Sequence, residues 1–144
     1  MIEEKNDWRP NYQSPSYFIV ANKLQCLNCC ATTSVWAFAL PQGIMPFFIS
    51  RISKNAIEQM HWFTHSYHLG EDQRNGEIYW MNHCSECQIQ MDEIDIFEES
   101  KTGAGPFGAY PFEGTERLQV QEFKQPFQAW AGDDLNFWLL TKKR

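Results

Sequence analysis

Two short cysteine pairs restrict this chain more than any other feature. They are Cys26-Leu-Asn-Cys29 and Cys84-Ser-Glu-Cys87, each with two residues between the thiols. That spacing lets one tight turn present two sulfurs to the same ion. Two such turns complete the tetrahedron that Zn2+ accepts from four thiolates, at about 2.3 Å each. Both pairs follow strand-forming segments, "SYFIVA" before the first and "EIYWMN" before the second, so one shared centre is expected rather than two unrelated motifs. Four cysteines leave no position for water, which makes the expected ion structural and not catalytic. The cofactor expected is a single Zn2+; the thiols by themselves do not separate zinc from iron.

The spacing between the pairs is unusual. Fifty-four residues lie between Cys29 and Cys84, where a compact four-cysteine ribbon uses about 15–20. The intervening chain must return to its starting point, so strands over 31–40 and 77–82 are expected to lie together in one sheet. A first strand is predicted over 16–21, with 22–30 as a turn-like segment leading into the second. Asn55 with Glu58 three residues later reads as a capping box, and Ile57, Met60, Phe63 and Tyr67 form a stripe, predicting a helix over 55–66. "QIQM" and "IDIF" read as two short strands out of register, and 116–123 as another strand. Residues 126–140 are apolar, with two tryptophans expected to pack onto the core. The chain is thus read as one domain, 1–144, of the α+β class: a β-rich, zinc-ribbon-like domain with two CxxC knuckles and an inserted helix. Within it 1–15 is a loosely ordered lead-in, 44–76 an insertion between the knuckles, and 101–114 a Gly/Pro-rich loop.

Charge narrows the partners. Residues 1–75 hold six Lys/Arg and six Asp/Glu; residues 76–144 hold six and twelve, and so carry the whole net charge of -6. From Cys84 to Ser100 there are six carboxylates and no basic residue. Such a surface repels phosphate backbones, making nucleic acid an unfavoured partner, and attracts a basic protein. Six Trp and eleven Phe supply large side chains that either bury area in a small core or anchor a partner. The N-terminal "MIEEKNDWRP" has no apolar signal region, and the run Val35–Leu40 is too short to span a bilayer. A soluble cytoplasmic protein with reduced thiols is expected, and no membrane association.

The remaining candidates are weaker. Cys30 reads as a buried small hydrophobe or idle thiol, with a slipped site using Cys26 and Cys30 as the alternative. His83 reads as a surface histidine, or else as a donor to a sulfur. His61, His65 and His68 would share one helix face and could hold a second metal, although packing or wet positions fit as well. "GAGPFG" matches a dinucleotide fingerprint in letters only, because Pro106 and Pro111 leave no helix to receive a phosphate. Asp92/Glu93 and Asp133/Asp134 have no accompanying groups, so no catalytic constellation is identified and the chain is read as a non-enzyme.

"PSYFIVANKLQCLNC" followed by "YWMNHCSEC" resembles a group of small, functionally uncharacterised bacterial zinc-ribbon-like proteins. They share an opening strand, a first CxxC, an aromatic-rich middle and a Y-W-M-N-H-C-x-x-C segment. The likeness covers residues 15–112 and implies zinc at Cys26, Cys29, Cys84 and Cys87, with no activity attached. Zinc knuckles commonly carry glycine after the second cysteine, whereas this chain has Cys30 and Gln88 there. The expected function is a non-catalytic protein-binding module, in its specific form a bacterial immunity protein neutralising a basic toxin. The alternatives are a nucleic-acid-binding zinc ribbon, using Arg51, Lys54, Arg74 and the basic tail, and an enzyme with a second metal at His61/His65/His68.

Overall fold

The structure, a computed structural model, describes residues 9–41, 46–73, 76–91 and 119–132. In chain order the elements are β1 (Tyr12–Ser14), β2 (Tyr17–Gln25), β3 (Thr32–Ala39), β4 (Ile49–Ile52), α1 (Lys54–Phe63), β5 (Tyr67–Glu71), β6 (Ile78–Asn82), β7 (Gln119–Phe123) and β8 (Phe127–Ala131). They form two antiparallel sheets, one of five strands in the order β1-β8-β4-β6-β5 and one of three in the order β3-β2-β7. Among the described residues the chain is β-rich with one short helix.

The three-stranded sheet is covered on both faces, which explains the nearly unbroken apolar runs of β2 and β3. Tyr17, Ile19, Ala21, Trp36 and Phe38 turn to the larger core, shared with Ala56 and Met60 of α1 and Phe127, Ala129 and Ala131 of β8. Val20, Val35, Ala37 and Ala39 turn the other way, onto Cys26, Cys84 and Met91. At the centre of the larger core Tyr17, Phe38 and Phe127 meet as a ring triangle with centroids 5.6–6.0 Å apart. The Tyr17 hydroxyl reaches Gln125 Oε1 at 2.9 Å, so its polar tip is satisfied inside the protein. Burial pushes the Tyr17 phenol up to about 12, leaving it a neutral donor.

Several expectations change here. β3 and β6 do not share a sheet. What joins them is the buried side chain of Asn82, which accepts from Trp36 N at 2.8 Å and donates to Trp36 O at 2.9 Å. Its carboxamide thereby stands in for a strand residue, so the chain returns to the first hairpin without a continuous ladder. The same device recurs twice. Asn11 pairs with both backbone groups of Ala131, and Gln90 with both of Glu71. The lead-in is accordingly tied down over 11–14, with β1 on the edge of the larger sheet.

β2 runs on to Gln25, shortening the turn to Cys26–Cys30. The region 44–76 contributes β4 and β5 besides its helix. That helix starts at Lys54, and Ser53 occupies the N-cap position without a side-chain cap. Its hydroxyl is used on β8, accepting from Gln128 N, while Asn55 bonds Pro126 O and Gln125 Oε1, so no capping box forms. Thr64 is extended and its hydroxyl accepts from Ser66 N, ending the helix before His65. In β8 the order Phe-Gln-Ala-Trp-Ala alternates in and out, placing Trp130 outward and 46% exposed instead of on the core. "QIQM" makes a single bridge, Gln90 with His83, and no strand. The readings placed on "IDIF", 101–114, Arg74, Asp92/Glu93, Asp133/Asp134, Trp138 and the tail lie outside the described residues, as do 1–8.

Gly70 on β5 has a packing reason to be glycine. A Cβ there would stand 2.8 Å from Met81 Sδ and 2.9 Å from Gln90 Oε1. Met81 is buried and Gln90 is held by Glu71, so neither yields freely. Gly70→Ala is expected to cost about 1–3 kcal/mol, read as a lower denaturant midpoint at unchanged slope.

Candidate metal centre

Each cysteine pair occupies the tip of a hairpin-like turn, and the two turns are built alike. In the first, Cys30 N donates to Cys26 O at 2.8 Å and Cys26 N to Ala31 O at 2.8 Å. In the second, Gln88 N donates to Cys84 O and Cys84 N to Ile89 O, both at 2.9 Å. Amides also point at sulfur: Asn28 N lies 3.4 Å from Cys26 Sγ, and Glu86 N 3.3 Å from Cys84 Sγ. Cys30 and Gln88 have φ of 69° and 68°, the left-handed conformation for which glycine is the usual choice. The departure from glycine therefore leaves the turn geometry intact and adds local strain. A side chain in this region costs about 1–2 kcal/mol, partly offset by the greater freedom of glycine in the unfolded chain. Gln88→Gly is expected to raise stability by about 0.5–1 kcal/mol, measurable by denaturant unfolding of the metal-loaded protein.

The four predicted ligands converge. Cys26, Cys29, Cys84 and Cys87 place their sulfurs within 4.8 Å of one another. Two contacts cross between the knuckles, Cys26 Sγ to Cys87 Sγ and Cys29 Sγ to Cys84 Sγ, each 3.7 Å. Four sulfurs held about 2.3 Å from a central ion at tetrahedral angles stand about 3.8 Å apart. The donor set thus fits one tetrahedral thiolate-bound metal. Cys26 and Cys84 are buried, Cys87 half-buried and Cys29 exposed, so one edge of the cluster faces solvent. Cys30 is also exposed and lies outside the cluster; it is neither a buried hydrophobe nor a ligand, and the slipped pairing is not adopted.

The protons on these thiols are unevenly held. The Cys87 amide, and after it that of Glu86, hold Cys84 down to about 6 against the cost of burial. Cys87 is also lowered, first by the Asn28 side chain and then by the Ile89 amide. For Cys29 the largest influence, the Ala31 amide, lowers the value, but desolvation and three neighbouring sulfurs together push it up to about 12. Four negative sulfurs at this separation need a cation among them, and a bound metal supplies it.

Further contacts fix the knuckles to each other. Asn28 Nδ2 reaches across to Cys87 Sγ at 3.4 Å. The Thr33 hydroxyl accepts from Ser85 N at 3.0 Å and meets Ser85 Oγ at 3.0 Å. Sequence reasoning missed Asn28, Thr33, Ser85 and Asn82. Asn82 alone carried a signal: it is a polar residue at an alternating position of an otherwise apolar strand.

The histidines fall elsewhere. His83 is buried, 4% exposed, with Nδ1 3.1 Å from Met81 O and its ring stacked 3.7 Å over His68. Burial, then the neighbouring His68, lowers its pKa and favours the neutral ring. It is therefore not a surface residue, and its ring makes no bond to sulfur among the described residues. His61 Nε2 pairs with Tyr67 O at 2.9 Å, His65 lies past the helix end, and His68 sits on β5. The three do not converge; among the described residues the four cysteines are the only grouping able to hold a metal through three or more ligands. Among those residues, too, no helix is long and apolar enough to cross a membrane. No protein-family model matches the chain, and neither does any curated protein or solved structure.

Proposed function

We propose that this chain is a non-catalytic protein-binding module of zinc-ribbon-like type, held together by one structural Zn2+, and that its partner is a basic protein. The convergence of four thiols from two matching knuckles carries the metal half of this reading. Thiolates take all four corners, so substrate and water have no coordination position to enter. Two features support the binding half. One is the net charge of -6, concentrated in the second half of the chain. The other is exposed apolar side chains on ordered elements, Leu27 at a knuckle tip (91%) and Trp62 on α1 (82%). A toxin-neutralising immunity protein is the narrower form of this proposal, supported by small size and acidity.

Metal content of the untagged protein tests the first half. One zinc per chain is the expected result; no metal overturns it, and visible thiolate-to-metal absorption would identify iron instead. The second half is tested by cross-linking a partner and titrating it, purified, at two ionic strengths. Affinity is expected to fall with added salt and with Trp62→Ser. A nucleic acid as the cross-linked species, or salt-independent binding, overturns it.

A further inference from the structure

The four thiols are not equivalent towards solvent. Cys26 and Cys84 are 1% and 0% exposed, Cys87 is half-buried, and Cys29 stands at the exposed edge. Each sulfur in the two 3.7 Å contacts belongs to a different knuckle, so the pairs are Cys29 with Cys84 and Cys26 with Cys87. A disulfide needs its sulfurs about 2.05 Å apart, so each would travel only about 0.8 Å. The backbone around each pair is already held by the matching turn bonds and by the Thr33–Ser85 contact.

We propose that Cys29 is the point at which peroxides modify this protein, and that oxidation exchanges the metal for two cross-knuckle disulfides, Cys29–Cys84 and Cys26–Cys87, without unfolding the chain. The proposal rests on the four-thiolate metal site proposed above. In the first step Cys29, which reacts as the deprotonated sulfur of the metal-loaded site, attacks one oxygen of hydrogen peroxide; the O–O bond breaks, sulfur gains an S–O bond, and the departing hydroxide takes a proton to become water. The Cys84 thiolate then attacks Cys29 sulfur, forms the S–S bond and expels hydroxide, which also leaves as water. A second peroxide carries Cys26 and Cys87 through the same two steps. In sum four thiolates, two peroxides and four protons give two disulfides and four waters. The thiolates lose four electrons, the peroxides gain them, and the chain gives up its divalent ion.

This outcome differs from ordinary oxidative damage to a four-thiolate site. Disulfides closed within each CxxC would free the two knuckles from one another. Disulfides across the knuckles join the same turns that the metal joined, through bonds between residues 55 and 61 positions apart. The larger sheet and the first hairpin remain tied, and a thiol reductant with fresh metal restores the starting state.

The test uses the full chain carrying Cys30→Ser, which removes the one exposed thiol outside the cluster. Its metal content is measured first; a metal-free preparation defeats the structural-zinc reading before any peroxide is added. The loaded protein is then titrated with hydrogen peroxide while a chromogenic chelator follows zinc, dimedone traps sulfenic acid, and tandem mass spectrometry maps the linkages. Three results are expected. Release is complete at two peroxides per chain, dimedone added at substoichiometric peroxide is found on Cys29, and the linkages are 29–84 and 26–87. The oxidised protein is expected to keep a cooperative melt, which the chelator-stripped reduced protein lacks. Linkages within each CxxC, dimedone on a different cysteine, or zinc retained in a tenfold peroxide excess would each overturn the proposal while leaving the metal site standing.

Discussion

Stripping the metal with a strong chelator, or replacing Cys84 by serine, is expected to remove the cooperative unfolding transition of this chain altogether. Cys84 is fully buried, receives amide bonds from Glu86 and Cys87, and touches Cys29 across the knuckles. Structural zinc binds cysteine sites with an apparent free energy of about 10–16 kcal/mol. The net stability of a whole domain is about 5–15 kcal/mol. A metal bound there would therefore contribute as much as the whole net stability of a domain. Its placement magnifies the effect. The first knuckle closes the β2–β3 hairpin of the smaller sheet, and the second follows β6 of the larger one. An ion bound by all four thiols would consequently fasten one sheet to the other. Circular dichroism melts of wild type, Cys84→Ser and Cys30→Ser, with metal content measured on each, check this. Cys30→Ser should retain both the metal and the transition, because its thiol lies outside the cluster. A chelated protein that still melts cooperatively within a few degrees of the loaded one would defeat the structural assignment.

The second large effect is expected at Asn82. Its side chain is completely buried and serves both backbone groups of Trp36, at 2.8 and 2.9 Å. Asn82→Ala leaves a buried N–H and a buried C=O of the smaller sheet without partners, at about 1–3 kcal/mol for each. A loss of roughly 3 kcal/mol lowers the melting temperature by about 10 °C in a chain of this size. Asn82→Asp should be worse despite its matching shape. A carboxylate can accept from Trp36 N but faces Trp36 O with no donor, and a charge without a partner in this core is costly. The ordering wild type, Ala, Asp is the discriminating result. An Asp variant as stable as the parent would mean that the clamp contributes little.

The same pair of residues shows how far the sequence could be read. The four cysteines were legible because metal chemistry demands both their type and their spacing, whatever lies between. Strands β2 and β3 were legible because their apolar runs are long, and β6 because an Asn-Gly pair precedes it and the second cysteine pair follows it. Their arrangement was not. Nothing in "YWMN" states that Asn82 will replace a strand partner for Trp36, so the need to bring the knuckles together was assigned to a shared sheet. β4 and β5 have four and five residues, too short for periodicity to separate them from the helix beside them. The capping box failed for another reason. Ser53 and Asn55 both had partners on the β8 side, and tertiary hydrogen bonds outweighed the local pattern. His83 was misplaced because nothing in the sequence shows that the ring of His68, on the adjacent strand, will cover it.

The unequal position of the two knuckles along the chain predicts an order of assembly. The first belongs to a hairpin whose strands are consecutive, with Gln25 paired to Thr32 directly behind the turn. A contact so local closes on the microsecond scale. The second knuckle is separated from it along the chain by β4, α1, β5 and β6, and is expected to arrive later. The hairpin is thus expected to offer a two-thiolate half-site early in refolding, where a captured ion would wait for its remaining ligands. Refolding at rising metal concentration should separate these events. Loss of free metal is expected to run ahead of the burial of Trp36 and Trp80, and Cys29→Ser should delay the first signal whereas Cys87→Ser affects only the second. The 54-residue gap between the cysteine pairs would then act as a timer between metal capture and closure of the core.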